Sequence, residues 1–267
     1  MMLYKGNLLK MRTQLKDVIT YELPIGDDLV DMNTLIGKKL TWAYQHQINC
    51  VHCGKKTKTS FSQGHCYTCF TSLPQTDASI MKPELDETHL GISRDIEWSK
   101  EHSLKPHYVY LAFSSNLKVG VTRETQIPTR WIDQGAVRAI KLAKTPNRHI
   151  AGVIEVALKE YFADKTNWRA MLKNEGEASV DLKAEKEKAA ALLHPELQQY
   201  INTEEEVCEL NYPVQEYPEK VTSLSFDKLD TYEGELKGIK GQYLMFEGGK
   251  VMNIRKHNGY FVELKVE

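Results

Sequence analysis

Net charge is the first thing missing from this sequence: 35 basic residues stand against 36 acidic ones in 267, a formal net charge of −1. No global positive field therefore advertises a polyanionic partner. Long apolar runs are absent too; nothing approaches the ~18 uninterrupted residues that a membrane span needs, so no membrane is expected among the partners. The start, Met1-Met2-Leu3-Tyr4-Lys5, lacks the apolar core of an export signal, which points to a cytoplasmic protein. No G-x-x-x-x-G-K-[ST] run is present, so a phosphate loop of that type is excluded, and Gly234, Gly238 and Gly241 read as bends in strands. No long internal repeat is present, and cysteine is scarce, at five residues.

Four of those five carry the clearest chemistry. Cys50, Cys53, Cys66 and Cys69 read C-x2-C, twelve residues, C-x2-C. Two such knuckles can set four thiolates at the corners of a tetrahedron, the geometry Zn²⁺ prefers. A full set of four sulfurs leaves no position for water, so the zinc is expected to be structural. Unpaired thiols without an export signal fit a reducing compartment. Cys208 stands apart and reads as a small, partly buried side chain.

Hydropathy patterning predicts an α+β protein. Residues 1–48 alternate as strands and are expected to pair with 212–267 in a small β-barrel or sandwich; residues 206–267 form a C-terminal β domain. A zinc ribbon occupies 49–73 and a Pro- and acid-rich connector 74–106. An αβ domain covers 107–205, with strands over 108–113, 117–122 and 137–142. Helices are expected over 125–134, 149–162, 167–172 and 182–193, Thr125 capping the first. Gly248-Gly249 and Asn258-Gly259 signal hairpins in the tail. Charge is uneven: Lys118 to Arg148 holds seven basic residues against two acids, and Glu175 to Glu209 ten acids against three lysines. That asymmetry suggests an anionic partner at a basic face, or two solvated faces of ordinary elements.

The middle stretch resembles the GIY-YIG nuclease superfamily. Tyr108-Val109-Tyr110 stands where the family has Gly-Ile-Tyr, Lys118-Val119-Gly120 where it often has Tyr-Ile-Gly, followed by Thr122, Arg130 ten residues past the glycine, and Glu155. The resemblance covers roughly 107–175, and the flanking segments look like an uncharacterised bacterial and archaeal family. It implies a catalytic set of Tyr110, Lys118, Arg130 and Glu155: Glu155 holding Mg²⁺ or Mn²⁺, Arg130 on phosphate oxygens, Tyr110 beside the attacking water. Lys118 replaces a tyrosine, and an ammonium donates but does not accept a proton. Asn167 and Asn174 are candidates for the family's late asparagine.

Each of these residues has a plainer alternative. Tyr110 and Gly120 can serve sheet packing, Lys118 can be solvated, Arg130 can pair with Asp133 and Glu155 with Lys159. Between Cys50 and Cys69 the charged residues are Lys55, Lys56 and Lys58, with Phe61, Tyr67 and Phe70 nearby. Basic side chains beside aromatics suit nucleic acid, unless the rings pack on a neighbouring domain. Lys55, Lys56, Lys58, Arg123 and Arg138 are the candidate nucleic-acid contacts, to DNA or RNA. The expected function is a nucleic-acid-binding protein with a nuclease-like core; the alternative is a non-catalytic, zinc-stabilised module binding nucleic acid or protein.

Overall fold

Alternation over residues 39–49 puts Leu40 and Trp42 on one face of a strand, and neither is exposed at all. The computed structural model describes residues 2–162, 167–176 and 180–267. In it the Lys39–Asn49 strand lies inside an eight-stranded sheet ordered Met2–Asn7, Tyr260–Val266, Lys39–Asn49, Thr231–Lys240, Tyr243–Phe246, Lys250–Asn253, Thr222–Leu224, with Lys56–Thr57 paired off Lys39–Asn49. The two ends of the chain are neighbours in that sheet, Met2 facing Val266. Arg12–Gln14, Thr20–Ile25 and Asp28–Asp31 form a separate three-stranded sheet. The barrel expected from the terminal strands is not there: among the described residues both sheets have open edges. The chain divides into two compact units, Met1–Thr71 with Asn211–Glu267, and Ser72–Leu210.

One hairpin signal misleads. Gly248-Gly249 does join antiparallel neighbours, Tyr243–Phe246 and Lys250–Asn253. Asn258-Gly259 does not, because Tyr260–Val266 pairs with Met2–Asn7 and Lys39–Asn49 instead. Gly259 has φ +83°, and a Cβ there would lie 2.2 Å from the Asn49 carbonyl oxygen. The residue is small because another strand's backbone lies against it.

His257 makes the first unit sensitive to acid. The ring has no exposure, its Nδ1–H donates to the Asn253 carbonyl at 2.8 Å, and Nε2 accepts the Phe226 N–H at 3.2 Å. Burial pushes its pKa from 6.5 to about 4, with only partial opposition from the Asn253 bond. Lys256 and Asp227 are the charged groups that act on it, in opposite directions. The unfolded imidazole takes a proton below 6.5 and the folded one only near 4, so stability is full above that window and falls as pH drops through it. The loss reaches about 3 kcal/mol for this one group. Thermal melts from about pH 8 to pH 5 will show a falling midpoint, and His257→Gln will flatten the fall; an equal fall in both proteins would refute the assignment.

In the second unit, four antiparallel strands are ordered Val207–Glu209, Arg138–Thr145, His107–Phe113, Leu117–Arg123. Val109, Leu111, Phe113 and Val119 face a core completed by Ala151, Ile154 and Leu158 of the Arg148–Leu158 helix. That helix starts where the Asn147 side chain accepts the Ile150 N–H, and it ends before Tyr161, which is 58% exposed rather than part of the apolar stripe. The expected 125–134 helix is shorter: a 3-10 turn at Glu124–Gln126 precedes a helix at Thr129–Asp133, so Thr125 caps nothing. The connector is ordered. It consists of four 3-10 turns between Pro74 and Leu90, then a helix at Ile96–Ser103 capped by Asp95.

Candidate metal centre and candidate active site

The first knuckle sits between Lys39–Asn49 and Lys56–Thr57, and the second opens the Tyr67–Ser72 helix. Gly54 has φ +72°, and its N–H donates to the Cys50 carbonyl at 2.9 Å, closing the first loop. The Phe70 N–H donates to the Cys66 carbonyl at 2.9 Å in the second. One sulfur from each of Cys50, Cys53, Cys66 and Cys69 lies within 4.8 Å of the others. Cys53 and Cys66 sulfurs are 3.9 Å apart. Zn–S bonds of about 2.3 Å at tetrahedral angles require about 3.8 Å, so this pair stands at the separation a zinc ion needs and the four together could hold one. Burial would raise the Cys50 thiol, but backbone N–H groups of Cys53, Cys66 and His52 bring it down to about 6. Burial and the neighbouring sulfurs push Cys69 up to about 12. Among the described residues this is the one cluster of three or more metal-ligating side chains.

Tyr110 lies directly opposite Gly120 across the first hairpin of the second unit. A Cβ on Gly120 would come within 2.6 Å of the phenol oxygen. The glycine therefore lets the ring lie across the neighbouring strand, where it meets Trp131 edge-on at 6.0 Å. The Tyr110 hydroxyl donates to Gln134 Oε1 at 2.9 Å. Burial raises its pKa, and Arg130, within hydrogen-bonding reach of the same oxygen, opposes the rise; the Glu155 charge reinforces it. Two charges, 20 and 45 positions further along the sequence, thus act on one phenol.

Glu155 lies one helical turn past Gly152, a position with no room for a side chain: a Cβ there would lie 2.2 Å from the Glu84 nitrogen. The connector turn Pro83–Leu85 packs on the helix at that point and brings Glu84 beside Glu155. Glu84 Oε2 is buried without a hydrogen-bond partner. Burial raises the Glu155 pKa, Lys159 opposes it, and Glu84 adds to it. Lys159 Nζ is 3.6 Å from Glu155 Oε2, so the plainer alternative of an ion pair is present. The Glu155 side chain keeps 12% of its surface exposed and is not sealed from solvent. Arg148 donates to the Ser79 and Ile80 carbonyls, at 3.2 and 2.8 Å, with Asp86 at 3.9 Å, and its charge is felt at Glu155.

The sequence reading missed Glu84, Gln134 and Arg148. Gln134 lay inside the region read as helix, and only the absence of space at Gly152 could have hinted at Glu84. Lys118 shares the Tyr110 face, opposite Ala112, but at 4% exposure it is not the solvated residue its strand-start position suggested. Asn167 is used as a helix cap, accepting the Ala170 N–H at 3.2 Å, and Asn174 holds a left-handed φ of +56°.

The basic stretch does not form a free basic face. Lys141 pairs with Glu204 at 2.8 Å and Lys144 with Glu124 at 2.7 Å. Lys118 is buried, and Arg138 lies over the Phe113 ring at 5.6 Å. Burial depresses the half-buried Arg123 guanidinium. Glu204 comes from the acidic run, so the two opposite charge excesses partly neutralise each other within one unit.

A family model described as "Protein of unknown function (DUF2797)" matches residues 37–262. The chain belongs to the DUF2797 family. No curated protein and no solved structure matches it. The DUF2797 match contains all four cysteines and Tyr110, Lys118, Gly120, Arg130 and Glu155. It starts at Gly37, so Met2–Asn7 and the three-stranded sheet precede the matched region. Among the described residues no helix is long and apolar enough to cross a membrane.

Proposed function

We propose that this is a nucleic-acid-binding protein whose 107–175 stretch is a GIY-YIG-like core that cleaves phosphodiester bonds with a divalent cation. The observation that supports the reading is that the Arg130 and Glu155 charges both act on the buried Tyr110 phenol, Arg130 lowering its pKa and Glu155 raising it. Arg130 offers a planar fork to phosphate oxygens. Glu155, with Glu84 beside it, would hold Mg²⁺ or Mn²⁺; the orphaned Glu84 oxygen is the kind of group a hard cation satisfies, and water and phosphate oxygens would complete the shell. Such an ion, when bound, relieves charge on the phosphate. Zinc at the four cysteines is structural in this reading, and Lys118 is a buried side chain on the strand beside the phenol's.

One observation favours the second reading, a binding module without chemistry: the Tyr110 side chain has no exposure, and its hydroxyl is engaged by Gln134. The first reading requires nucleic-acid binding, and the second requires it where the module's partner is nucleic acid rather than protein. Titration of a labelled oligonucleotide at rising salt will show affinity falling linearly in log–log form, with a slope of about −0.7 per phosphate contact on a single strand. Absence of binding to every form of DNA and RNA at low salt would defeat the first reading and leave only a protein-binding module.

A further inference from the structure

We propose that the zinc-held segment 50–72 is a stacking platform for single-stranded nucleic acid, with Tyr67 taking a base and Lys55, Lys56 and Lys58 following the phosphates. This rests on the nucleic-acid reading above and assigns it a strand form and a contact surface.

The aromatic residues of the segment pack on one another. Phe61 and Phe70 stack at 5.6 Å with 19° between planes. Tyr67 meets Phe61 edge-on, at 5.6 Å and 65°, and remains 64% exposed. With an edge-on neighbour and 64% exposure, the Tyr67 ring keeps a face open to solvent. Two features steady this ring: Tyr67 follows Cys66 directly, and it opens the helix that carries Cys69. A ring fixed in this way loses little side-chain entropy when a base stacks on it.

The charge around the ring separates this surface from the rest of the protein. Lys55, Lys56 and Lys58 are exposed, and no acid lies between Cys50 and Cys69. None of the three ammonium groups has an ion-pair partner among the described residues. Lys141 and Lys144 of the basic stretch, by contrast, are each paired with a glutamate. A zinc tetrathiolate carries about two negative charges, fewer than the three lysines supply. The local field stays positive, but weakly, so stacking is the larger contribution. Stacking needs the face of a base, which a duplex hides, and it accepts any base.

The test uses the zinc-loaded full chain and a labelled oligouridine of about 12 nucleotides, with a hairpin duplex and an abasic strand of equal length as comparisons. The single strand is expected to bind more tightly than either comparison. Tyr67→Ala is expected to weaken single-strand binding about tenfold without changing zinc content or salt slope, and Tyr67→Trp to restore it. Changing the three lysines to glutamine should flatten the salt slope. Equal affinity of Tyr67→Ala and wild type, or of the abasic and intact strands, overturns this inference while leaving the broader reading standing. Failure of both single strand and duplex to bind overturns both.

Discussion

Glu155→Gln will bind nucleic acid as the wild type does and will lose Mg²⁺-dependent cleavage by on the order of 10³-fold or more. A metal-held phosphate gains several kcal/mol of transition-state stabilisation, and each ~1.4 kcal/mol is a factor of ten. Glutamine keeps the shape and removes the charge that would hold the ion. The substitution also separates this role from a structural one. Burial raises the Glu155 pKa despite Lys159, so above that pKa its ionised form is a cost to the fold. Relieving that cost should leave the melting temperature unchanged or higher at neutral pH. A protein in which Glu155 served mainly to pair with Lys159 would instead be destabilised by the change, with cleavage reduced only in proportion to unfolding. Cleavage by Glu155→Gln at the wild-type rate would remove the carboxylate from the proposed chemistry.

Cys66→Ser will take zinc content from about one per chain to near zero and unfold the 50–72 segment. A serine hydroxyl does not replace a thiolate on zinc, and the remaining sulfurs cannot close the tetrahedron. Outside the cysteines the segment is held by a two-pair ladder with the main sheet, Ile48 to Thr57 and Asn49 to Lys56, and by side-chain bonds from Asn49 to the Gly54 carbonyl and from Arg255 and Asn258 to Gln63. Hydrogen exchange should show protection lost at the Cys50, Gly54 and Phe70 amides, which donate to Lys55, Cys50 and Cys66 carbonyls. The strands of 107–145, in the other unit, should keep theirs. Strong chelation should reproduce the effect, and acidification should promote it by returning protons to the thiolates. A zinc-free wild-type protein with the same protection would contradict the assignment.

The four-cysteine cluster was legible in the sequence because its information is local: each C-x2-C carries its own knuckle, and Gly54 supplies the conformation that closes the first. The strands of the second unit were legible for a similar reason, since a short apolar run, a Ser-Ser-Asn turn and a second such run over 107–123 specify a hairpin locally. The rest depended on neighbours distant in sequence. Glu204 lies 63 residues past Lys141, so a count of charges along the basic stretch could not reveal its neutralisation. Asn258-Gly259 carries a hairpin dipeptide, but its position follows from the Asn49 backbone. Glu84 came from a segment read as a linker, and its place depends on the missing side chain at Gly152. The resemblance to GIY-YIG nucleases pointed to Tyr110, Arg130 and Glu155; the second carboxylate is specific to how this connector folds.

The account centres on the proposal that the Glu155 and Glu84 carboxylates hold a dication. Titration of the zinc-loaded full chain with Mn²⁺, followed by electron paramagnetic resonance, reads this without any need for a substrate. The prediction is one Mn²⁺ bound beyond the zinc in the wild type, lost in Glu155→Gln and weakened in Glu84→Gln. No bound Mn²⁺ in the wild type, or equal binding in the Glu155→Gln protein, would contradict it.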